Sequence, residues 1–338
     1  ELFRQLEREQ RNLEENHQIK INVVGITNSR EMKIFDNPES DFDLNNNFNT
    51  NLQKSDLKQF ISLISSKNLP NLVFVDNTSS EDVVAEYSLL FNNNISIVTC
   101  NKKGNSSSYE QYSKFKRLAK KNNVSFLYET NVGAGLPIIK TLNDLWISGD
   151  EILKIEAILS GTISYIFNNY VGDNTFAEVV RTAQELGYTE PDPRDDLNGM
   201  DFSRKMLILG REIGLPLEMS NVNIKDFLPE ACLKAESIPA FYEELEKHEP
   251  YFSSFKNEAE NSGRKLRLIG VLEDGKINIE VQIVDANHPF FGLSGSDNII
   301  SFTTSRYKNT PLVVKGPGAG AEVTAAGVFA DLVRVTAQ

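Results

Sequence analysis

Cysteine and histidine are scarce in this 338-residue chain, and it has no long apolar run. The two cysteines, Cys100 and Cys232, lie far apart and belong to no CxxC motif, and the three histidines are scattered. This pattern predicts a reducing compartment and no zinc site. The cytoplasm is our first choice and an organelle lumen the alternative. No apolar run approaches the ~20 residues that a membrane helix needs, so we expect no membrane partner.

Positive charge is also in short supply. The formal net charge at pH 7 is -12, from 35 Lys and Arg residues against 47 Asp and Glu residues. No Lys/Arg-rich block interrupts this acidic background, so we expect no nucleic-acid partner. The length and the 40% hydrophobic content predict two globular domains with sizeable cores, and small-molecule chemistry is the better default.

The first part of the chain alternates strands and helices. After a helix at 1–14, the pattern predicts strands at 22–27, 72–76, 95–99 and 124–129, and helices at 55–67, 81–92 and 109–121. This alternation predicts an α/β fold with a Rossmann-like, doubly wound parallel sheet, in which ligands bind at the carboxyl ends of the strands. An acidic, Asn-rich segment at 36–51 is typical of a surface loop or a partly disordered insertion, and we assign it no function.

The pattern changes in the second part. A helix at 137–148 is followed by two helices, an acidic loop and strands at 265–272, 276–284, 299–304 and 312–315. Several of these strands alternate, which predicts a mixed or antiparallel sheet in a second, α+β domain. A glycine-rich run at 316–320 leads into a last helix at 322–335.

The most informative stretch opens a helix and has the sequence GYTEPDPRDDLNGMDFSRK at 187–205. An apolar row of core-facing residues begins there, formed by Phe202, Met206, Leu209 and Ile213. Asp201 and Lys205 lie one helical turn apart on the neighbouring row. They form either a solvated ion pair worth a few tenths of a kcal/mol, or a buried pair whose Lys donates a proton. The apolar run at 206–209 favours the buried pair.

This stretch, together with NVGAGLP at 131–137 and LSGT at 159–162, closely resembles homoserine dehydrogenases. The resemblance covers nearly the whole chain and is strongest to the dehydrogenase half of bifunctional aspartokinase/homoserine dehydrogenases. It implies NAD(P)H-dependent interconversion of L-aspartate 4-semialdehyde and L-homoserine, a step toward threonine and methionine. A catalytically silent, cofactor-binding regulatory half of a larger polypeptide is the alternative.

The resemblance also implies a domain organisation. The nucleotide-binding domain would comprise residues 1–136 completed by 316–338, and residues 137–315 would form the substrate-binding, catalytic and dimerisation domain. A homodimer is expected, and fusion to an aspartokinase domain is a further expectation.

The expected cofactor is NADP, with NAD as the alternative. Asn28, Ser29 and Arg30 follow the first predicted strand, where NAD-specific proteins usually place an acid, and they suit a 2′-phosphate better. A polar turn with a solvated Arg is the bland interpretation. The resemblance adds further cofactor contacts at Thr78, Ser79, Lys102 and Gly320. The alternative for the turn at 78–80 is a plain helix N-cap, and Lys102 is preferred to Lys103.

The resemblance assigns the chemistry to Lys205, which donates the proton to the forming alkoxide, and to Asp201, which orients it. It places two acids, Glu190 and Asp196, against the α-ammonium group of the substrate. The residues bordering the substrate would be Tyr188, Gly161, Thr162 and Lys102. A helix that begins at 160–162 offers free N–H groups to a carboxylate, although a merely capped helix has the same sequence.

A monovalent cation, sodium or potassium, is also implied by the resemblance. Its ligands would be the main-chain oxygens of Glu129, Val132, Ala134 and Leu136, and oxygen ligands suit a hard cation. The alternative is a hinge followed by a helix with Pro137 in its first turn.

One expectation concerns a strand that this sequence does not contain. Because a helix begins at Glu1, the central strand of a doubly wound sheet and its glycine-rich turn have no counterpart here. We therefore expect residues before Glu1, at least a strand with a GxGxxG-like turn, with a whole kinase domain as the larger alternative. An intact mass of 37.9 kDa together with tight NADP binding would contradict this expectation.

Overall fold

The structure is a computed structural model that describes residues 1–37, 52–225 and 227–336. The chain divides into two compact units, one of Glu1–Thr130 with Ala321–Gln338 and one of Asn131–Gly320. The first holds a parallel sheet and the second a mixed sheet, which confirms the predicted fold class. The expected insertion at 36–51 lies, from residue 38 onward, outside the described residues.

The first unit follows the predicted alternation with shorter strands. Its elements are α1 (Leu2–His17), β1 (Gly25–Thr27), β2 (Glu31–Ile34), β3 (Gln53–Lys54), α2 (Leu57–Ser66), β4 (Val73–Asp76), α3 (Glu81–Ala85), α4 (Tyr87–Asn92), β5 (Ser96–Thr99), α5 (Lys102–Asn105), α6 (Tyr109–Lys121) and β6 (Phe126–Leu127). The strands β4, β5 and β6 form a three-stranded parallel sheet in that order. The helix predicted at 81–92 is interrupted at Glu86.

The first predicted strand does not join the parallel sheet, and the expectation that it would was wrong. Instead, β1 pairs antiparallel with β2, and β2 pairs antiparallel with β3. The turn between β1 and β2 explains this difference. The side-chain oxygen of Asn28 accepts hydrogen bonds from the N–H groups of Arg30 at 2.7 Å and Glu31 at 2.8 Å. Such an Asx turn reverses the chain within three residues.

The second unit is built on a six-stranded sheet. Its elements are α7 (Ile139–Ile147), β7 (Ile152–Ile158), α8 (Gly161–Asn169), α9 (Phe176–Glu185), α10 (Arg194–Leu197), α11 (Met200–Glu212), β8 (Val222–Ile224), α12 (Glu230–Leu233), α13 (Ile238–Lys247), α14 (Glu249–Asn261), β9 (Lys265–Glu273), β10 (Lys276–Val284), β11 (Asp297–Thr304) and β12 (Leu312–Pro317). The strand order is β12-β11-β7-β9-β10-β8. Only the β8–β10 pairing is parallel among these described strands.

One helix of the second unit begins later than the sequence predicts. The helix expected from Pro137 begins at Ile139, so Pro137 lies before the helix rather than in its first turn. The Pro137 carbonyl is instead used by the hydroxyl of Thr141, at 2.6 Å. The last helix, α15 (Ala321–Thr336), returns to the first unit. There its residues Val328 and Leu332 pack against Val98 of β5.

The helix α11 is buried along most of its length, and this burial positions the site. Residues 205–212 are all buried, including the charged Lys205. The sheet allows this close approach because Gly270 of β9 has no side chain. A methyl group there would lie 2.9 Å from atoms of Phe202 and Met206. The apolar row that the sequence predicts therefore lies against the sheet.

Candidate active site

Lys205 and Asp201 form an ion pair on α11. Lys205 Nζ and Asp201 Oδ2 are 2.7 Å apart, and the two residues lie one helical turn from each other. Lys205 is 8% exposed, whereas the Asp201 side chain is 47% exposed. The pair is therefore asymmetric, because a buried cation meets a carboxylate that water reaches. A fully solvated pair, the bland interpretation of the spacing, is not what the structure shows.

The Lys205 ammonium has a second partner in the segment before α8. Its Nζ donates a hydrogen bond of 2.6 Å to the main-chain carbonyl of Leu159. Leu159 lies between the last residue of β7 and Ser160, the N-cap of α8. The ammonium is thus held at the start of α8 by a charge and by a carbonyl dipole.

The first turn of α8 is prepared by a cap. The Ser160 side chain accepts a hydrogen bond from the N–H of Ile163 at 3.2 Å. Gly161 allows close packing at this turn, since a methyl group there would lie 3.2 Å from the main-chain oxygen of Ser296. The predicted strand-to-helix transition at 160–162 is therefore present. The cap satisfies one N–H of the helix, and the other N–H groups of the first turn suit an anion.

The acidic loop folds back onto α8. The Thr162 hydroxyl oxygen lies 2.5 Å from the main-chain oxygen of Tyr188 and 3.1 Å from Asp196 Oδ1. The other carboxylate oxygen of Asp196 accepts a hydrogen bond of 2.8 Å from the N–H of Glu190. The Tyr188 ring stacks on Tyr165, with ring centroids 4.5 Å apart. Residues named from the sequence as substrate contacts are thus brought together.

The electrostatics of Asp196 link this cluster to the ion pair. Burial raises the pKa of the Asp196 carboxyl above its ordinary value, and the neighbouring carboxylates of Glu190 and Asp201 also raise it. The hydrogen bonds from Glu190 and Thr162 act in the opposite direction. Asp201, Glu190 and Asp196 are therefore close enough to influence one another, and a cationic group placed among them would be stabilised.

One of the remaining acids of the loop, Asp192, has a structural role. Asp192 accepts hydrogen bonds from Arg194, whose Nε lies 2.8 Å from Asp192 Oδ1, and Arg194 also donates to the carbonyl of Ala235. Arg194 holds the pKa of the Asp192 carboxyl below its ordinary value. Gly187 and Gly199 frame the loop with φ of 74° and 73°, a conformation that favours glycine. The ion pair of Asp192 and Arg194 therefore stabilises the loop, and the sequence did not predict this pair.

In the first unit, the predicted cofactor residues after β1 form the hairpin turn. Asn28, Ser29 and Arg30 are exposed. The Asn28 side chain already accepts two main-chain hydrogen bonds, so its oxygen shapes the turn. Among the described residues, the Arg30 side chain has no hydrogen-bond or ion-pair partner. The geometry leaves the guanidinium accessible to an anion.

The turn after β4 is organised by a carboxylate that the sequence analysis missed. Asp76 Oδ1 accepts from the Thr78 N–H at 2.8 Å and from the Thr78 hydroxyl at 2.7 Å. Its Oδ2 accepts from the Tyr87 hydroxyl at 2.6 Å and from Asn101 Nδ2 at 3.0 Å. Ser80, the N-cap of α3, makes no side-chain capping bond, so the plain N-cap interpretation does not hold.

This network ties the ends of β4 and β5 together. Asp76, Asn101 and Tyr87 are all at most 2% exposed. Burial, together with the adjacent Asp76, raises the pKa of the Tyr87 hydroxyl, which therefore stays a proton donor. The position of Asp76 at a strand end was the available signal. No sequence signal marked Tyr87, because its role depends on how α4 packs.

Lys102 and Lys103 follow the end of β5 and have different surroundings. Lys103 Nζ lies 3.2 Å from Glu81 Oε1 and is thereby committed to an ion pair. Lys102 is half-buried in the first turn of α5, whose N-cap is Asn101. The carboxyl ends of β4 and β5 thus present Thr78, Ser79 and Lys102. Hydroxyl and cationic groups at this edge fit the ribose and phosphate groups of a dinucleotide.

The residues expected around a monovalent cation lie on either side of the unit boundary. Glu129 is in the first unit, where its N–H donates to Asp331 at 2.9 Å and its carboxylate lies 3.3 Å from Arg334. In the second unit Gly133 has φ of 75° and Ala134 has φ of 52°. This unusual backbone turns the main chain within the segment at 132–136. Gly320 has φ of 122° directly before α15.

Comparison with protein families identifies the chain. A family model described as homoserine dehydrogenase matches residues 137–333. A second model, described as homoserine dehydrogenase, NAD binding domain, matches residues 1–129. The chain belongs to the homoserine dehydrogenase family. Members of this family are NAD(P)-dependent oxidoreductases, so the predicted resemblance and the nicotinamide cofactor class are confirmed.

Relatives of known name include single-function and fused proteins. The homoserine dehydrogenase of Schizosaccharomyces pombe is 42% identical over 290 residues, which are 83% of this chain and 77% of that protein. The bifunctional aspartokinase/homoserine dehydrogenase 1, chloroplastic, of Zea mays is 43% identical over 338 residues, which are 99% of this chain. This chain spans 37% of the length of that maize relative.

Solved structures share the fold. A Candida auris protein of unknown function superposes with a TM-score of 0.89 at 35% identity, covering 97% of this chain and 94% of that one. A hyperthermophilic archaeal homoserine dehydrogenase in complex with NADPH gives a TM-score of 0.74 at 22% identity, covering 99% of this chain and 93% of that one.

In the parts of the chain that the structure describes, no helix is long and apolar enough to cross a membrane.

Proposed function

We propose that this chain interconverts L-aspartate 4-semialdehyde and L-homoserine with a nicotinamide cofactor. The observation that carries the proposal is the buried Lys205, held between Asp201 and the Leu159 carbonyl in a member of the homoserine dehydrogenase family. When bound, the cofactor supplies the hydride that reduces the aldehyde carbon. The geometry of the second unit and the names of the relatives support this activity.

Lys205 is the proposed general acid. Its ammonium donates a proton to the forming alkoxide oxygen, and the neutral amine takes a proton from the homoserine hydroxyl in the reverse direction. Asp201 favours the charged form of Lys205 and fixes the direction of its Nζ. The hydrogen bond to the Leu159 carbonyl restricts the position of the ammonium further.

The proposed substrate contacts are those around the start of α8. Glu190 and Asp196 attract the α-ammonium group, and the N–H groups at Gly161 and Thr162 receive the α-carboxylate. Tyr188 forms the wall of this region through its stacked ring. Lys102 of the first unit remains proposed as a contact for the substrate or for a cofactor phosphate.

We propose NADP as the preferred cofactor, with NAD as the alternative. Arg30 and its neighbours Asn28 and Ser29 suit a 2′-phosphate, since none of the three residues between β1 and β2 is an acid. The other proposed cofactor contacts are Thr78, Ser79, Lys102 and Gly320. A nucleotide-binding role for residues 1–136 with 316–338, and a substrate-binding, catalytic and dimerising role for residues 137–315, belong to the same proposal.

A monovalent cation, sodium or potassium, is proposed at the main-chain oxygens of Glu129, Val132, Ala134 and Leu136. The support is the left-handed backbone at Gly133 and Ala134. Because of it, successive carbonyls of this short segment do not point in the regular directions of a helix or a strand. The Leu136 carbonyl already accepts a hydrogen bond of 2.9 Å from the Ile138 N–H, which leaves one lone pair for a cation.

We further propose a homodimer and a cytoplasmic location. Bifunctional names among the relatives support fusion to an aspartokinase domain in the whole protein. Plant relatives are named chloroplastic, so a plastid is the alternative location. Size-exclusion chromatography with light scattering and cell fractionation test these two proposals separately.

One assay tests the activity. Purified protein is mixed with L-homoserine and NADP, and reduction of the cofactor is followed by absorbance, with L-threonine and L-serine as control alcohols. The expected result is reduction that depends on homoserine. Cofactor binding without any homoserine-dependent turnover would contradict the proposal and favour the silent, regulatory interpretation.

A further inference from the structure

A small cavity in the second unit is lined by more positive than negative charge. Its volume is about 140 Å³, and it lies among the end of α8, the end of α14 and the start of β9. Its charged lining residues are Lys256, Arg264, Lys265, Arg267 and Glu260. Four cations against one carboxylate give a net lining charge of +3 in a chain whose net charge is -12. None of these residues belongs to the proposed active site.

Arg267 contributes a buried charge to this cavity. It is 3% exposed, and within the described residues its three guanidinium nitrogens donate only to main-chain carbonyls, those of Phe290, Phe167, Leu266, Phe291 and Leu293. No carboxylate within ion-pair distance of it is found in the described part of the chain. Burial lowers the pKa of Arg267 to about 10. Carbonyls satisfy its hydrogen bonds but leave its charge uncompensated.

Lys256 is a second buried cation at the same cavity. It is 7% exposed, and its Nζ donates to the carbonyls of Gly172 at 2.8 Å and Asn174 at 2.7 Å. Two of its three N–H groups are thereby used. The ammonium also lies 4.6 Å from the centre of the Tyr170 ring. An acceptor in the cavity can receive the third N–H.

The nearby acids are already engaged elsewhere. Glu260 accepts a hydrogen bond of 2.8 Å from the Gly172 N–H, at the exposed edge of the cavity. Glu249 does not line the cavity and accepts from the Tyr170 hydroxyl at 2.7 Å. The cations also face the carboxyl end of α8, but a helix end carries only about half a negative charge. Neutralising that dipole therefore accounts for a minor part of the positive charge.

We propose that this cavity binds one small oxyanion, a phosphate or a dicarboxylate of similar size. Lys256 would donate from the floor, Arg264 would offer its guanidinium fork from the exposed edge, and Arg267 would supply charge from behind. A water molecule occupies about 30 Å³ in the liquid, so 140 Å³ suits a group of a few oxygen atoms. The site lies at the opposite end of α8 from Thr162, and it is independent of the proposed turnover.

Isothermal titration calorimetry on the full chain tests the proposal, with sodium phosphate and sodium malonate as separate probes. Ionic strength is held constant with sodium chloride, because salt screens the interactions of surface charges. The expected result is saturable binding of at least one probe at one site per chain, and the tighter probe identifies the class. If neither probe gives saturable heat at concentrations up to about 50 mM, the proposal is overturned. A site with a dissociation constant of about 1 mM would be saturated at that concentration.

Matched variants assign the binding to this cavity. Arg264→Gln removes an exposed charge at its edge and should weaken binding by about tenfold, the effect of one charge-assisted contact. Lys276→Gln removes an exposed charge at the other end of β9, beyond the hairpin, and should leave binding unchanged. Lys256→Met should abolish binding; if it fails to fold, the Arg264→Gln result decides. Equal effects of Arg264→Gln and Lys276→Gln would show unspecific charge attraction and refute the site.

Discussion

Replacement of Lys205 by methionine is the sharpest test of the proposed chemistry. Methionine has a similar length and no charge, so Lys205→Met removes the proton donor while keeping most of the packing on α11. The variant loses the 2.7 Å contact to Asp201 and the 2.6 Å hydrogen bond to the Leu159 carbonyl. These losses have different consequences for stability and for catalysis.

The stability cost is limited by the exposure of Asp201. Its side chain is 47% exposed, so water can solvate the carboxylate after Lys205 is removed. The Leu159 carbonyl loses its donor, which costs ~1 to 3 kcal/mol for a buried polar group. A domain with a stability of ~5 to 15 kcal/mol can tolerate this loss. The variant should therefore fold, with a lower melting temperature.

The catalytic cost is expected to be larger. Loss of a general acid typically lowers the rate by ~10²- to 10⁴-fold, or ~3 to 5 kcal/mol of barrier height. Turnover should fall to this extent in both directions, because the same amine serves as acid and base. Affinity for NADPH, measured by its fluorescence in the absence of substrate, should stay close to that of the unmodified protein.

Arg204→Met is the matched control, since Arg204 is the neighbouring cation on α11 and has no proposed role. It should keep turnover within a few fold and NADPH affinity unchanged. Wild-type turnover in Lys205→Met, at a folded fraction verified by circular dichroism, would remove Lys205 from the mechanism. Loss of NADPH affinity in parallel with turnover would instead indicate a structural role.

Four further predictions address other parts of the molecule. Arg30→Ala should selectively raise the Michaelis constant for NADP by the ~1.5 to 3 kcal/mol of a charge-assisted contact, and equal effects on NADP and NAD would refute the preference. Glu190→Gln and Asp196→Asn should weaken homoserine binding while sparing NADP affinity, and unchanged homoserine kinetics would assign both acids to solvent or to loop structure. Because the pKa of the Asp196 carboxyl is raised, its attraction for the substrate ammonium should fade as the pH drops through that pKa, and this acidic limb of homoserine binding should be absent in Asp196→Asn. The contribution of Asp196 to folding stability should have the opposite pH dependence, present at low pH and lost as the pH rises through the same pKa. Asp76→Asn replaces one acceptor oxygen by an N–H donor and so breaks at least one of the hydrogen bonds from Thr78, Tyr87 and Asn101, and a thermal melt should shift down by roughly 2 to 10 °C. An unchanged melting temperature would mean that the network does not stabilise the first unit.

The sequence predicts best those features that depend on residues close together in the chain. The period of apolar residues on α11 identified a buried helix, because that pattern depends only on neighbours within two turns. The strand Lys276–Val284 was predicted with the observed ends. The meeting of Thr162 with Asp196 spans 34 residues, and periodicity carries no information about it. The contact itself was not predicted, and only the family resemblance assigned both residues to the same substrate.

Failures of the sequence analysis have specific physical causes. A run ending in a polar tip predicts a parallel strand, but the side chain of Asn28 turns the chain back, and β1 joins a hairpin instead. Asp76 was missed because its partners come from different elements, Tyr87 from α4 and Asn101 from the N-cap of α5. The pairing of Asp192 with Arg194 was also missed, since a short loop offers no period from which side-chain directions can be inferred.

The two acids proposed to hold the substrate are organised differently, and this difference has a mechanistic consequence. Both oxygens of Asp196 lie within hydrogen-bond distance of Thr162 or Glu190, so its carboxylate has a fixed direction. Glu190 is exposed and is engaged here through its main-chain N–H, which leaves the direction of its carboxylate to side-chain rotation. A fixed charge aligns a bound ammonium at little cost in entropy, whereas a rotating one must be ordered on binding. We therefore expect Asp196 to set the position of the substrate nitrogen relative to Lys205, and Glu190 to add attraction once the substrate is in place.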